Sequence, residues 1–107
     1  MPLTRDFRET IRERAQNEPA FRKALLREAI ELMLSGDVKT GRALLRNYIN
    51  ATAGFKELQK ATHIPAPSLM RMFGPRGNPS ARNLFSILAH LQRQEGVNFE
   101  LRATSRR

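Results

Sequence analysis

Ser68 and Arg71 stand three residues apart in the segment Ala66-Pro67-Ser68-Leu69-Met70-Arg71, and Arg76 and Asn78 follow shortly after. A hydroxyl and a guanidinium one helical turn apart suit recognition of an anion or a planar polar edge. Arg bonds guanine bidentately, Ser bonds a phosphate or a base edge, and a small residue such as Ala66 touches a thymine methyl. Catalytic chemistry finds less support. His63 and His90 are the two histidines, they fall in different segments, and no acid lies near them. A hydrolytic metal site or a nucleophile needs several convergent groups. Both imidazoles therefore read as structural or solvated. Glu9, Glu13, Glu28 and Glu31 occur among arginines and read as a salt-bridged face. Cysteine is absent, which removes disulfides, thiolate metal sites and thiol catalysis together. No glycine-rich phosphate loop follows a strand-like run. The expectation is a non-enzyme with no metal and no cofactor.

The elements that position Ser68 and Arg71 read as helices almost throughout. Thr4 caps a first helix to about Gln16, a surface helix with Phe7 and Ile11 on one side. Asn17 ahead of Glu18-Pro19 signals a second start, because Pro in a first turn loses no hydrogen bond. That second helix carries Phe21, Leu25, Ala29 and Leu32 on one stripe, with Leu26, Ile30 and Met33 beside it. So wide an apolar stripe can be buried on more than one side. Ser35-Gly36 ends it. Asp37 caps a third helix to about Thr52, through Val38, Leu44, Leu45, Tyr48 and Ile49. Gly41 inside it costs about 1 kcal/mol relative to Ala, tolerable where helices approach closely.

Two short helices follow, Phe55 to Ala61 and about Ala66 to Phe73, around Thr62-His63-Ile64-Pro65. The turn formers from Gly74 to Pro79 break the chain, and Ser80 caps a last helix through Leu84, Leu88 and Leu91 to Gly96. Val97, Phe99 and Leu101 alternate with polar residues, which predicts one short strand. Such a strand pairs with a partner chain or becomes an irregular tail, with residues 104–107 frayed. The division expected is a single domain over 1–107: an N-terminal helical extension 1–36, a core 37–95, and a strand with a basic tail 96–107.

The charge distribution favours a polyanionic partner. The 107 residues carry 19 Lys and Arg against 10 Asp and Glu, a formal net charge of +9. Residues 1–53 hold ten basic and seven acidic side chains, and residues 54–107 hold nine and three. From Leu58 to Gln94, Lys60, Arg71, Arg76, Arg82 and Arg93 face no acid at all. A merely soluble surface intersperses both signs, as Arg5/Glu9 and Arg27/Glu31 do at i,i+4 spacing. Nucleic acid is the commonest polyanion. With 40% apolar residues the chain can close one core. Its apolar runs are too short for a transmembrane helix or a signal peptide, so a cytoplasmic, nucleoid-associated protein with no membrane partner is expected.

The two short helices fit a helix-turn-helix, in which the second helix packs its rear inward and turns its leading side chains outward. Phe55, Leu58, Ile64, Leu69, Met72 and Phe73 supply the inward set, and Met70 joins Met72 as core filler. Ala66, Pro67, Ser68 and Arg71 face outward, and the helix N-terminus offers free amides to phosphate.

Gly54-Phe55-Lys56-Glu57-Leu58 through Ile64, Ser68 to Phe73, and Gly77-Asn78-Pro79-Ser80 before Leu84 resemble the lambda-repressor-like (Xre-type) helix-turn-helix family. Upstream, Phe21 to Leu26, Ser35-Gly36-Asp37 and Leu45 to Ile49 resemble HigA-type antitoxins and small transcriptional regulators, so the likeness covers about residues 5 to 102. The resemblance implies an all-α bundle, here with two extra N-terminal helices and the short C-terminal strand. It implies a homodimer on a palindromic double-stranded DNA operator, repressing its own toxin–antitoxin operon and neutralising an mRNA-cleaving toxin of the RelE/HigB type. By position, Ala66, Pro67, Ser68 and Arg71 take the base-reading places. Gly54, Lys56, Arg76 and Asn78 take the phosphate-binding ones.

Three positions depart from the family pattern. Gln59 stands where a small residue is usual, and Phe55 where a polar phosphate contact is common. His63 stands where Gly usually takes the left-handed turn, which predicts an altered turn. Ala66 in place of a long amide shifts specificity toward Arg71, dimer spacing and DNA shape. The alternatives are a stand-alone regulator, an RNA binder and a protein-interaction adaptor. Seven aromatics, most at core positions, make a single-strand stacking platform a poor fit. The N-terminal helices either contact a toxin or complete the core or the dimer.

Overall fold

The computed structural model describes residues 5–106, with side chains from Asp6 onward. Thr4, the Arg5 partner of Glu9 and the end of the basic tail at Arg107 lie outside the described residues. Six helices run in order: α1 Arg5–Asn17, α2 Pro19–Leu34, α3 Val38–Ala51, α4 Gly54–Thr62, α5 Ala66–Met72 and α6 Ala81–Glu95. The all-α expectation holds, and the helix starts are the expected ones to within a residue or two.

The caps explain most of these boundaries. Asp37 accepts a hydrogen bond from the Thr40 amide and Ser80 from the Asn83 amide, each satisfying an orphan donor of a first turn. Gly96 closes α6 in the left-handed conformation at φ 71°. The second start differs from expectation. Asn17 is the last residue of α1, and the N-cap of α2 is Glu18, whose side chain makes no capping bond. Instead the Glu18 carboxylate accepts hydrogen bonds from Arg14, and the Arg14 guanidinium lies 4.2 Å from the Phe21 ring centroid. A tight corner is thereby fastened by one arginine rather than by a capping asparagine.

One apolar core joins α2 to α6. Leu26 and Ala29 of α2 meet Leu45, Tyr48 and Ile49 of α3, Phe55 and Leu58 of α4, Leu69 of α5, Phe73, and Ile87, Leu88 and Leu91 of α6. Helix α1 lies across α2 and α3 and buries Ile11 and Ala15, while Phe7 stays half exposed. The wide stripe of α2 is used on both sides, since this helix packs on α1 and on α3. At Gly41, α3 packs tightly against α2. A Cβ there would lie 2.5 Å from Met33 Cγ and 2.8 Å from the Ala29 carbonyl oxygen.

A buried polar junction sits beside this core. Arg22 of α2 donates to Glu95 Oε1 at 2.6 Å and to the Ala15 carbonyl at 2.9 Å, and the Tyr48 hydroxyl donates to the same Glu95 oxygen. The Glu95 side chain is 3% exposed, so both donors are needed to offset its desolvation. Burial, and then the hydrogen bond to Glu95, push the Tyr48 phenol well above its ordinary value.

No strand occurs among the described residues, which corrects the expected C-terminal strand. Residues 97–106 are irregular. A lone extended segment has no neighbour to bond its backbone, and α6 supplies the substitute. The Phe99 amide donates to Gln92 Oε1 at 2.9 Å, and its ring packs against the core. The apolar alternation thus records one anchored aromatic, while Leu101 is 83% exposed.

Candidate nucleic-acid interface

The site is built on α4, the three-residue turn His63-Ile64-Pro65, and α5. Phe55 and Leu58 of α4 and Leu69 of α5 are buried with Phe73, and Ile64 and Met72 are half-buried against them. The Phe55 and Phe73 rings lie 6.3 Å apart at 44°. These inward residues fix the roll of α5, leaving Pro67 and Arg71 exposed. The turn keeps the left-handed geometry that Gly usually provides. His63 itself takes φ 62°, ψ 18°, so the expected alteration does not occur. The His63 amide still closes the helix by donating to the Gln59 carbonyl at 2.8 Å.

Gln59 has a specific task. Its Oε1 accepts from the Ala66 amide at 2.6 Å, tying the end of α4 to the start of α5. This narrows the expectation of free amides at the α5 start. The Ala66 donor is engaged and Pro67 has none, so of the first-turn amides the Ser68 N–H is the one left for an anion, beside the side chains. Ala66 is also half-buried and packs against the core, so it is less outward than its position in the pattern suggests. Met70, expected in the core, is 48% exposed.

The segment after α5 brings the cations together. Gly77 passes so close over the end of α5 that a Cβ there would lie 2.0 Å from the Arg71 carbonyl oxygen and 2.2 Å from that of Met72. No side chain fits. The Gly74 amide donates to the Arg71 carbonyl and the Gly77 amide to the Gly74 carbonyl, and Arg42 of α3 donates to the Pro75 carbonyl at 3.4 Å. This folded-back loop and α5 border an open groove of about 840 Å³. Ser68, Arg71, Arg76 and Asn78, four of the expected site residues, line it together with Arg46 and Met70. Arg71 Nη2 donates to Ser68 Oγ at 3.2 Å, which pre-orients the guanidinium along the helix surface.

Gly54 and Lys56 do not line this groove. Gly54 starts α4 at φ 83° and Lys56 is exposed on α4. Lys60 is drawn off by Glu57 at 3.1 Å. Arg46, Arg71 and Arg76 have no carboxylate partner among the described residues. Arg46 was not anticipated, although a signal existed: between Asp37 and Glu95 the single acid is Glu57, so the acid-poor run begins at α3.

The two histidines are apart, His63 in the turn and His90 half-buried on α6. Among the described residues no group of three or more His, Cys, Asp or Glu side chains could hold a metal ion, and no helix is long and apolar enough to cross a membrane. No protein-family model, curated protein or solved structure matches this chain at a significant level.

Proposed function

We propose that the chain is a sequence-specific reader of double-stranded DNA that acts as a transcriptional repressor, with α4 and α5 as its helix-turn-helix. One observation carries this reading. Three arginines with no carboxylate partner among the described residues, Arg46, Arg71 and Arg76, border one groove beside the exposed side of a short helix whose Leu69 is seated in the core. In this reading Arg71 and Ser68 meet base edges, with Pro67 beside them and Ala66 at the rear. Arg46, Arg76 and Asn78 flank them as phosphate contacts, and Gly54 and Lys56 are assigned a second backbone contact at the start of α4. Phosphate attraction positions the protein and the α5 side chains select the sequence.

A homodimer on a two-fold operator follows from the family resemblance, as does a lambda-repressor-like arrangement. The same resemblance extends the proposal to an antitoxin that neutralises a RelE/HigB-like toxin, tested by co-purification with the product of an abutting gene. Gel-shift titration with the DNA upstream of its own gene tests the DNA reading. Arg71→Ala is expected to weaken binding by about 1–3 kcal/mol and to blur one base position. An unchanged affinity in the folded variant removes α5 as the reading helix.

A further inference from the structure

Met70 is an exposed apolar side chain on the helix assigned to base reading, and packing does not account for it. Met33 and Met72 pack against the core, whereas Met70 is 48% exposed and lines the groove with Ser68 and Arg71. Beyond the polar pair Ser68 and Arg71, the exposed side of α5 offers little for discrimination. Pro67 has no donor and a short rigid ring, and the Ala66 methyl is turned toward the core. Met70 is the longest and most adaptable apolar group there, with three rotatable bonds and a polarisable sulfur. Arg46, Arg71 and Arg76 surround the groove with positive charge, so the occupant that complements it is a polyanion. In a DNA major groove the apolar feature presented to a side chain is the C5-methyl of thymine.

We infer that Met70 is a specificity-determining residue that recognises a thymine methyl, within a base pair or two of the guanine bonded by Arg71. Adjacent helical positions point about 100° apart, so Met70 and Arg71 reach neighbouring base steps rather than the same one. The inference rests on the DNA reading of α5, and its test separates the two.

The full chain first selects a duplex from a random-sequence pool, and each thymine of that duplex is then replaced singly by uracil, which removes only the methyl group. One or two positions are expected to show a loss of about fourfold for the wild type, the worth of one buried methyl. Met70→Ala should bind the thymine duplex correspondingly less well and lose the uracil penalty at those positions, while Met70→Leu keeps part of it. Circular dichroism establishes that the variants fold, as expected for a half-exposed position. If a duplex is selected but no uracil weakens binding, or Met70→Ala retains the full penalty, the methyl contact is overturned and the DNA reading stands. Should Met70→Ala instead weaken self-association with the uracil penalties intact, Met70 belongs to a protein interface. If no duplex is enriched, both readings fall together.

Discussion

His63 shows how one residue sets a turn against its own preference. A left-handed backbone costs a non-glycine residue about 1–2 kcal/mol, and the structure accepts that cost at φ 62° to keep α4 and α5 in register. His63→Gly is therefore expected to raise stability by about 0.5–1 kcal/mol after the entropy of glycine is set against the relieved strain, read from denaturant midpoints. His63→Val should lower it, because a β-branched residue tolerates that geometry least. Gln59 offsets part of the same cost through its bond to the Ala66 amide. The break between two short helices just ahead of Pro65 makes His63 legible as a turn residue. The compensating bond was not legible, because a side-chain acceptor seven residues away leaves no periodic trace.

Elements were the most readable scale. Asp37, Ser80 and Gly96 act as the boundary residues their types announce, and Leu84, Leu88 and Leu91 define the inner side of α6 as their spacing requires. Failures came where a local signal met a tertiary competitor. Asn17 lost its capping role to an Arg14 that fastens the corner, and the Val97-Phe99-Leu101 alternation marks an anchored tail. Gly77 reads in sequence only as a turn former. In space it is the residue that lets the loop lie against α5 and carry Arg76 and Asn78 to the groove. Gly77→Ala is expected to destabilise the fold by about 1–3 kcal/mol through overpacking against two carbonyls, measured by thermal or denaturant unfolding. The same change should weaken DNA binding, since the displaced loop holds half of the groove. Met70 reads in sequence as core filler because a seven-residue helix has too few turns for periodicity to separate its edges.

At the scale of the whole molecule, Arg22, Tyr48 and Glu95 tie α2, α3 and α6 together at one buried point. Nothing in the sequence links these three, whose partners lie 73 and 47 residues apart. The raised Tyr48 phenol makes a signed prediction. A group whose folded value exceeds its unfolded value of 10.0 contributes fully below that pH and loses its contribution as pH rises above it. Stability should thus fall as pH climbs beyond about 10, and Tyr48→Phe should flatten that alkaline slope while lowering stability at neutral pH. The net charge of +9 also belongs to this scale, and part of it, Arg46, Arg71 and Arg76, borders one groove. The most direct test of a sequence-specific DNA reader is the affinity of the full chain for its selected duplex and for a scrambled one across a salt series. Both affinities should fall steeply and linearly on logarithmic axes, with the selected duplex bound at least about 1,000-fold more tightly at physiological salt. Equal affinity for the two duplexes, or affinity insensitive to salt, would contradict it.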